Sequence, residues 1–256
     1  MKKICFLLFS SSLSFLYAQK DSTIKTPRAF ITVNVGLGIP TNSIYIEAIS
    51  ASGYPSGSYG EIGYTVNAFA AIPITHSRFG IAGFISYNAE PFDVNKRFLE
   101  LCGASEDEMD VNNQLLTNSS SDFKETLLMA GVYYSPSKKQ KIDFKFLMGD
   151  NICTLAGYSF TGTSSYSYST HAGIYTVTEN IASSMPLANS SSMAFDIGID
   201  WHFLQMSHFL GLFSADFMYS QAYFNTTYTE GINTISEHYR TNYNLLNFNL
   251  GIGYRF

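Results

Sequence analysis

Charged side chains are scarce in this 256-residue sequence, at 14%, where an ordinary soluble domain carries about 25%. That shortage argues against a cytosolic domain. Acidic side chains outnumber basic ones, 20 to 15, and no Lys/Arg cluster suggests nucleic acid, which is not an expected partner. Beyond the N-terminus no stretch approaches the roughly 18 apolar residues that a membrane-crossing helix needs. Nor do His, Cys and Asp fall at metal-ligand spacing, so no metal or other cofactor is expected. Gly36-x-Gly38 lacks the third glycine and following helix of a nucleotide loop. What is plentiful is dispersed hydrophobicity: 46% hydrophobic residues, with 18 Tyr and 21 Phe. Such a chain is not disordered.

The first 18 residues read as a secretory signal peptide. Lys2 and Lys3 precede an apolar run (Ile4–Phe9, then Leu13–Leu16), and Ala18 offers a small residue for cleavage. Residues 19–27 then form a short periplasmic segment, and residues 28–256 the folded body. Without Lys2 and Lys3 the chain has 13 basic against 20 acidic side chains, a formal charge of −7. Cys5 leaves with the leader, and Cys102 and Cys153 remain. An oxidising compartment permits a disulfide between them; two unpaired thiols are equally open.

Period-2 alternation dominates the rest. Eight segments carry it: Ala29–Ile39, Glu61–Ile72, Phe79–Ala89, Asp122–Ser135, Ile142–Cys153, Met193–Phe203, His208–Phe224 and Thr241–Phe256. In the clearest, Met193, Phe195, Ile197, Ile199, Trp201 and Phe203 interleave with Ala194, Asp196, Gly198, Asp200 and His202. A helix would break that pattern within one turn. Short connections (Pro73–Arg78, Pro136–Lys141, Leu204–Ser207) alternate with long ones (Pro40–Gly60, Glu90–Ser121, Thr154–Ser192, Asn225–Arg240). The expected fold is therefore all-β: an eight-stranded, antiparallel, up-and-down transmembrane β-barrel with tight periplasmic turns and long extracellular loops. Ten strands remain open if Ile174–Val177 and its neighbours add a membrane hairpin. A soluble sandwich would bury the same apolar face. Against it stand the ionisable groups on the opposite face and the aromatics near strand ends (Tyr64, Tyr87, Tyr134, Trp201, Phe203, Phe209, Tyr219, Tyr254), placed as interfacial girdles are.

The chain closes on Asn249-Leu250-Gly251-Ile252-Gly253-Tyr254-Arg255-Phe256. Asn249, Gly251, Tyr254 and Phe256 resemble the β-signal of bacterial outer-membrane proteins, which implies recognition by the barrel-assembly machinery. In strand count the chain is similar to the OmpA transmembrane-domain and OmpX type, within the outer membrane protein β-barrel domain family. The resemblance implies a bacterial outer-membrane location and contact with its lipid. Unlike OmpA proper, no peptidoglycan-binding domain is expected to follow the last strand.

Strand parity places Asp143, Lys145, Asp196, Asp200, His202, Asp216 and Arg255 in the lumen, with Glu125 near its outer rim. Glycines of the same parity (Gly36, Gly38, Gly63, Gly149, Gly198, Gly251, Gly253) let a narrow barrel bend and close. An eight-stranded barrel is just wide enough for side chains to fill, and enclosed charges must find partners. A salt-bridged plug is the expected result, with a narrow polar path as the functional alternative. Barrel enzymes such as the lipid A palmitoyltransferase, the lipid A deacylase and the omptin proteases use His with Ser or Asp at the outer rim. Here only His171 and His238 reach that side, since His76, His202 and His208 fall at or near periplasmic turns, so no catalytic residue is assigned. The acidic run Glu106–Asp110 reads as a solvated loop sooner than a Ca²⁺ site. Loops rich in Tyr, Ser and Gly (Ile44–Tyr54, Tyr158–Tyr168) suit an extracellular partner and allow strands to extend above the membrane as a raised sheet. The reading is a structural or adhesive outer-membrane barrel. Its alternatives are a channel or transporter for a small solute or hydrophobic ligand and, less favoured, a lipid-modifying enzyme.

Overall fold

Alternating segments become strands because a pleated chain sends successive side chains to opposite faces. The computed structural model describes residues 28–41, 45–48, 60–74, 77–102, 113–136, 141–170, 173–230 and 232–256; the expected leader and the 19–27 segment lie outside these. The elements, in chain order, are β1 (Phe30–Pro40), β2 (Tyr45–Ala48), β3 (Gly63–Pro73), β4 (Phe79–Glu90), α1 (Val94–Leu101), β5 (Gln114–Ser120), β6 (Phe123–Tyr134), β7 (Ile142–Leu155), β8 (Tyr158–Thr170), β9 (Gly173–Met185), β10 (Ala188–Gln205), β11 (Phe209–Glu230) and β12 (Asn233–Arg255).

Eight of these strands close a ring in the order β1–β3–β4–β6–β7–β10–β11–β12, and β12 pairs back onto β1. Every pairing is antiparallel, as with Val33 opposite Ile252 and Phe209 opposite Tyr254. Closure removes the exposed edges that an open sheet would offer. The β8–β9 hairpin stays out of the ring, because β7 pairs directly with β10 from Leu155↔Ala188 onward. Eight strands, not ten, therefore form the barrel.

The long connections are more ordered than their sequence suggests. The segment 225–240 is an unbroken continuation of β11 and β12, paired up to Glu230↔Asn233. At 22 residues, β11 is about twice the 9–11 that cross a bilayer, so half of it stands beyond. Most of segment 154–192 is the β8–β9 hairpin, which touches β11 at Thr229↔Ser184 and carries β5 on its far side. Segment 90–121 holds α1 and β5. Asp93 caps α1, its Oδ1 accepting the Lys96 N–H at 3.1 Å. These strands are rich in Ser and Thr, and their inward positions hold Gly and Ser as often as aromatics (Gly162, Ser164 and Ser183 beside Phe160), which is why they look like loops in the sequence.

The two faces of the ring settle its solvent. Ile31, Val33, Val35 and Leu37 point outward and are exposed, while Thr32 and Asn34 between them are buried. The same inversion recurs on β10, where Ile197, Ile199 and Trp201 are exposed and Asp196, Asp200 and His202 buried. A soluble sandwich would show the reverse. The exposed aliphatic band is bounded by aromatics: Tyr64 beside Tyr87 towards the outer end, and Phe79–Tyr134, Trp201–Phe203 and Phe209–Tyr254–Phe256 towards the other. An apolar band between aromatic girdles fits a bilayer.

Candidate functional site: the lumen and its extracellular cap

The register builds the inner half of the lumen around one cation. Lys145, Gly198 and Asp216 stand opposite one another on β7, β10 and β11. A Cβ on Gly198 would collide with both Asp216 Oδ1 and Lys145 Cε, so the missing side chain lets the two charges meet. Lys145 Nζ lies 2.8 Å from Asp216 Oδ1 and 3.0 Å from Asp200 Oδ1, above the faces of Phe69 and Phe84. Asp216 Oδ2 also accepts from Ser214 Oγ and from Asn249 Nδ2. Nearer the periplasmic rim Asp143 accepts from Ser135 Oγ and faces His202 Nε2 at 3.5 Å. His202 meets the edge of Phe30. Asp196 is buried with Oδ2 unpartnered, and Arg255 is half-buried at the rim.

Six of the seven lumen residues expected from parity are thus enclosed, and the three charges Lys145, Asp200 and Asp216 bond directly. The expectation fell short on the remaining fill. Phe30, Phe69, Phe84, Leu127, Met129, Tyr133, Leu147, Met218 and Leu245 also point inward and pack as one apolar cluster. A barrel this narrow fills its axis with bulk, and charges alone do not supply it.

Above that apolar layer lies a second polar layer. Glu125, as expected, is buried near the outer end. It accepts from Asn151 Nδ2 at 2.7 Å, Asn88 Nδ2 at 3.3 Å and Ser220 Oγ at 3.5 Å. Glu90 joins it, fully buried, with neither carboxylate oxygen hydrogen-bonded. Sequence reasoning placed Glu90 at the start of a loop. Carrying the parity of Ser86 and Asn88 one step further would have found it, but Pro91 reads as a strand end.

Over this layer sits an apolar cap. Phe92, Phe98 and Leu99 from the α1 region pack with Tyr158, Phe160, Met185, Phe123, Phe224 and Tyr243. Phe92 stacks on Tyr158 at 5.1 Å. The Phe98 ring lies where a Gly162 side chain would be, meeting Phe160 edge-on. Tyr158 and Phe160, expected on a recognition loop, serve the cap instead.

The cysteines are not joined: Cys153 is buried below the cap and Cys102 is half-buried at the end of α1, so the disulfide option is set aside. Burial pushes the Cys102 thiol above its usual range. In the C-terminal segment Gly251 and Asn249 face the lumen, while Tyr254 and Phe256 face outward in the periplasmic girdle. His208 stacks on Tyr254. His76, His171 and the Glu106–Asp110 run lie outside the described residues, as does the side chain of His238. Asp143 separates Ser135 from His202, so the one Ser–Asp–His grouping described in the lumen lacks a nucleophile–base contact.

No family model matches the chain, and no curated protein does. Three solved structures align with it along most of their length. Ail, the attachment invasion locus protein of Yersinia pestis, is 14% identical, with 90% of this chain and 99% of that chain covered and a TM-score of 0.40. The outer membrane protein OprG from Pseudomonas aeruginosa is 12% identical, with 92% and 99% covered and a TM-score of 0.44. A major outer membrane protein from Thermus thermophilus is 14% identical, with 89% and 99% covered and a TM-score of 0.42. By its own closed ring, outward apolar band and filled lumen, the chain is an eight-stranded transmembrane β-barrel.

Proposed function

We propose that this barrel is a sealed, non-enzymatic surface protein that presents a raised extracellular sheet to a partner. The observation that carries the reading is how the lumen is filled: the Lys145 ion cluster set among inward apolar side chains, then the Glu125 layer, then the aromatic cap. A conduction path would need to pass each of these in turn. Meanwhile β8, β9, β5 and the outer halves of β11 and β12 extend beyond the membrane. They display hydroxyl side chains such as Thr117, Thr161, Ser165 and Thr178, already paired across strands. Pre-ordered strands lose little entropy on binding, and β5 is the last strand of the sheet among the described residues, an edge that suits strand addition. The narrow-channel or transporter alternative draws its support from the surplus of acids in the lumen and from the buried polar side chains Ser86 and Asn88 that lead to Glu125, but the inward apolar side chains take up much of the axis.

The C-terminal strand, with Tyr254 and Phe256 outward, is proposed to carry the signal read by the assembly machinery. Planar-bilayer recording tests the sealed barrel: the intact protein is expected to stay silent, and stable openings would refute it. For the surface role, the β8–β9 hairpin can be replaced by a short turn, because Leu155 and Ala188 already pair. Cells displaying the shortened protein are expected to lose adhesion that cells displaying the intact one show. Equal adhesion by both would exclude the raised sheet.

A further inference from the structure

We infer that the outer lumen binds one divalent cation of the calcium class, held by Glu90 and Asn247 across a gap left by two glycines. Asn247, Gly38 and Gly63 stand opposite one another on β12, β1 and β3, and Gly63 in turn faces the backbone at Glu90 on β4. Two adjacent strands therefore contribute no side chain to this part of the wall. A methyl group on Gly38 would sit 3.0 Å from Asn247 Oδ1 and 3.4 Å from Glu90 Oε1. Both oxygens thus converge on one space that no protein atom fills.

Neither oxygen has a donor. Glu90 is 0% exposed with both carboxylate oxygens unpartnered, and Asn247 is 3% exposed with Oδ1 unpartnered. A buried carboxylate in that condition costs several kcal/mol unless it takes up a proton or a cation joins it; a divalent ion would displace the proton and satisfy both oxygens. Among the described residues no lysine or arginine bonds Glu90 or Glu125, and Arg255 lies at the opposite, periplasmic rim. Lys145 is committed to Asp200 and Asp216 in the inner half. Lys124 points outward from β6, and Arg97 on α1 bonds the Tyr158 hydroxyl. The layer therefore holds two carboxylates, Glu90 and Glu125, with no cation of the chain's own.

The charge and the donor type fix the class of ligand. One divalent ion balances two carboxylates. The free donors are carboxylate and amide oxygens, which suit a hard cation, and Ca²⁺ accepts six to eight such ligands at 2.3–2.6 Å in flexible geometry, with water completing the shell. Glu125, already held by Asn88, Asn151 and Ser220, supplies charge, whereas Glu90 and Asn247 supply direct contacts. Small rotations of those two side chains bring their oxygens into range. No group of three His, Cys, Asp or Glu residues converges among the described residues, so an amide oxygen, that of Asn247, completes this site. It is independent of the surface role proposed above.

The test uses the folded full-length barrel in zwitterionic detergent, freed of lipopolysaccharide and stripped with EDTA. Equilibrium dialysis against CaCl₂ is expected to give one ion per chain, and calcium is expected to raise the unfolding midpoint seen by heat-modifiable gel mobility. Glu90→Gln should weaken binding at least about tenfold and abolish the midpoint response, while folding as well as the stripped wild type. Gly38→Ala, which fills the gap, and Asn247→Leu, which removes the amide oxygen, should each weaken binding without touching the carboxylates. Absence of stoichiometric binding by the wild type would overturn the inference. So would binding that survives Glu90→Gln, including binding lost only when Glu106, Asp107, Glu108 and Asp110 are neutralised.

Discussion

Lys145 Nζ stands 2.8 Å from Asp216 Oδ1 across a glycine, with Asp200 as its second carboxylate at 3.0 Å. All three groups are buried, so the lysine holds two negative charges that water does not reach. Removing one partner of a buried ion pair leaves the other uncompensated, at a cost of about 3–5 kcal/mol. Lys145→Met should accordingly lower the unfolding free energy of the detergent-folded barrel, read from urea titration, by that order. Adding Asp200→Asn and Asp216→Asn should restore most of the loss, because the stranded charges go with them. A Lys145→Met variant as stable as the wild type would mean that the cluster holds nothing together.

Glycine positions offer a sharper contrast. A Cβ on Gly131 would strike the Phe146 carbonyl oxygen and approach Leu147 Cα at 2.8 Å, whereas one on Gly83 meets nothing within 4 Å. Backbone atoms locked in a ladder have little room to yield, so Gly131→Ala should cost about 1–3 kcal/mol. Gly83→Ala, on the lipid-facing side, should be neutral. Thermal unfolding followed by gel mobility compares the two directly; equal behaviour would contradict the β6–β7 register.

Cysteine chemistry checks the cap. Cys102 is half-buried with its thiol pushed up by burial, and Cys153 is enclosed below the cap. The thiolate is the reactive form, so a raised value means less thiolate at neutral pH. Maleimide labelling of the native protein should be slow at pH 7. It should keep accelerating as pH rises past the usual thiol range of about 8.5. Unfolding without reductant should release both thiols. If they appeared only after reduction, a disulfide would be present.

How far the sequence could be read depends on where the two faces differ. On β7, β10 and β11 charge alternates with aliphatic bulk, and Asp143, Lys145, Asp196, Asp200, His202 and Asp216 were all legible from a two-residue period. Leu127, Met129 and Leu147 were not, because an apolar side chain on the inner parity looks like a lapse in the pattern until a narrow axis has to be filled. Glu90 hid behind Pro91. The raised parts of β8, β9, β11 and β12 hid because strands whose inward positions include Gly162, Ser164 and Ser183 carry only a weak hydrophobic period. The pairing of Lys145 with Asp216 needed the register, which sets Gly198 between them and which no spacing in one strand reveals.

The central claim is that the exposed apolar stripe meets acyl chains, and the chain carries its own probe. Its single tryptophan, Trp201, is 53% exposed on the outer face beside Phe203 in the periplasmic girdle. In vesicles of phosphatidylcholine brominated at graded depths, Trp201 fluorescence should be quenched, and most strongly by bromines near the headgroup end of the acyl chain. Fluorescence unchanged by bromine at every depth would contradict the account.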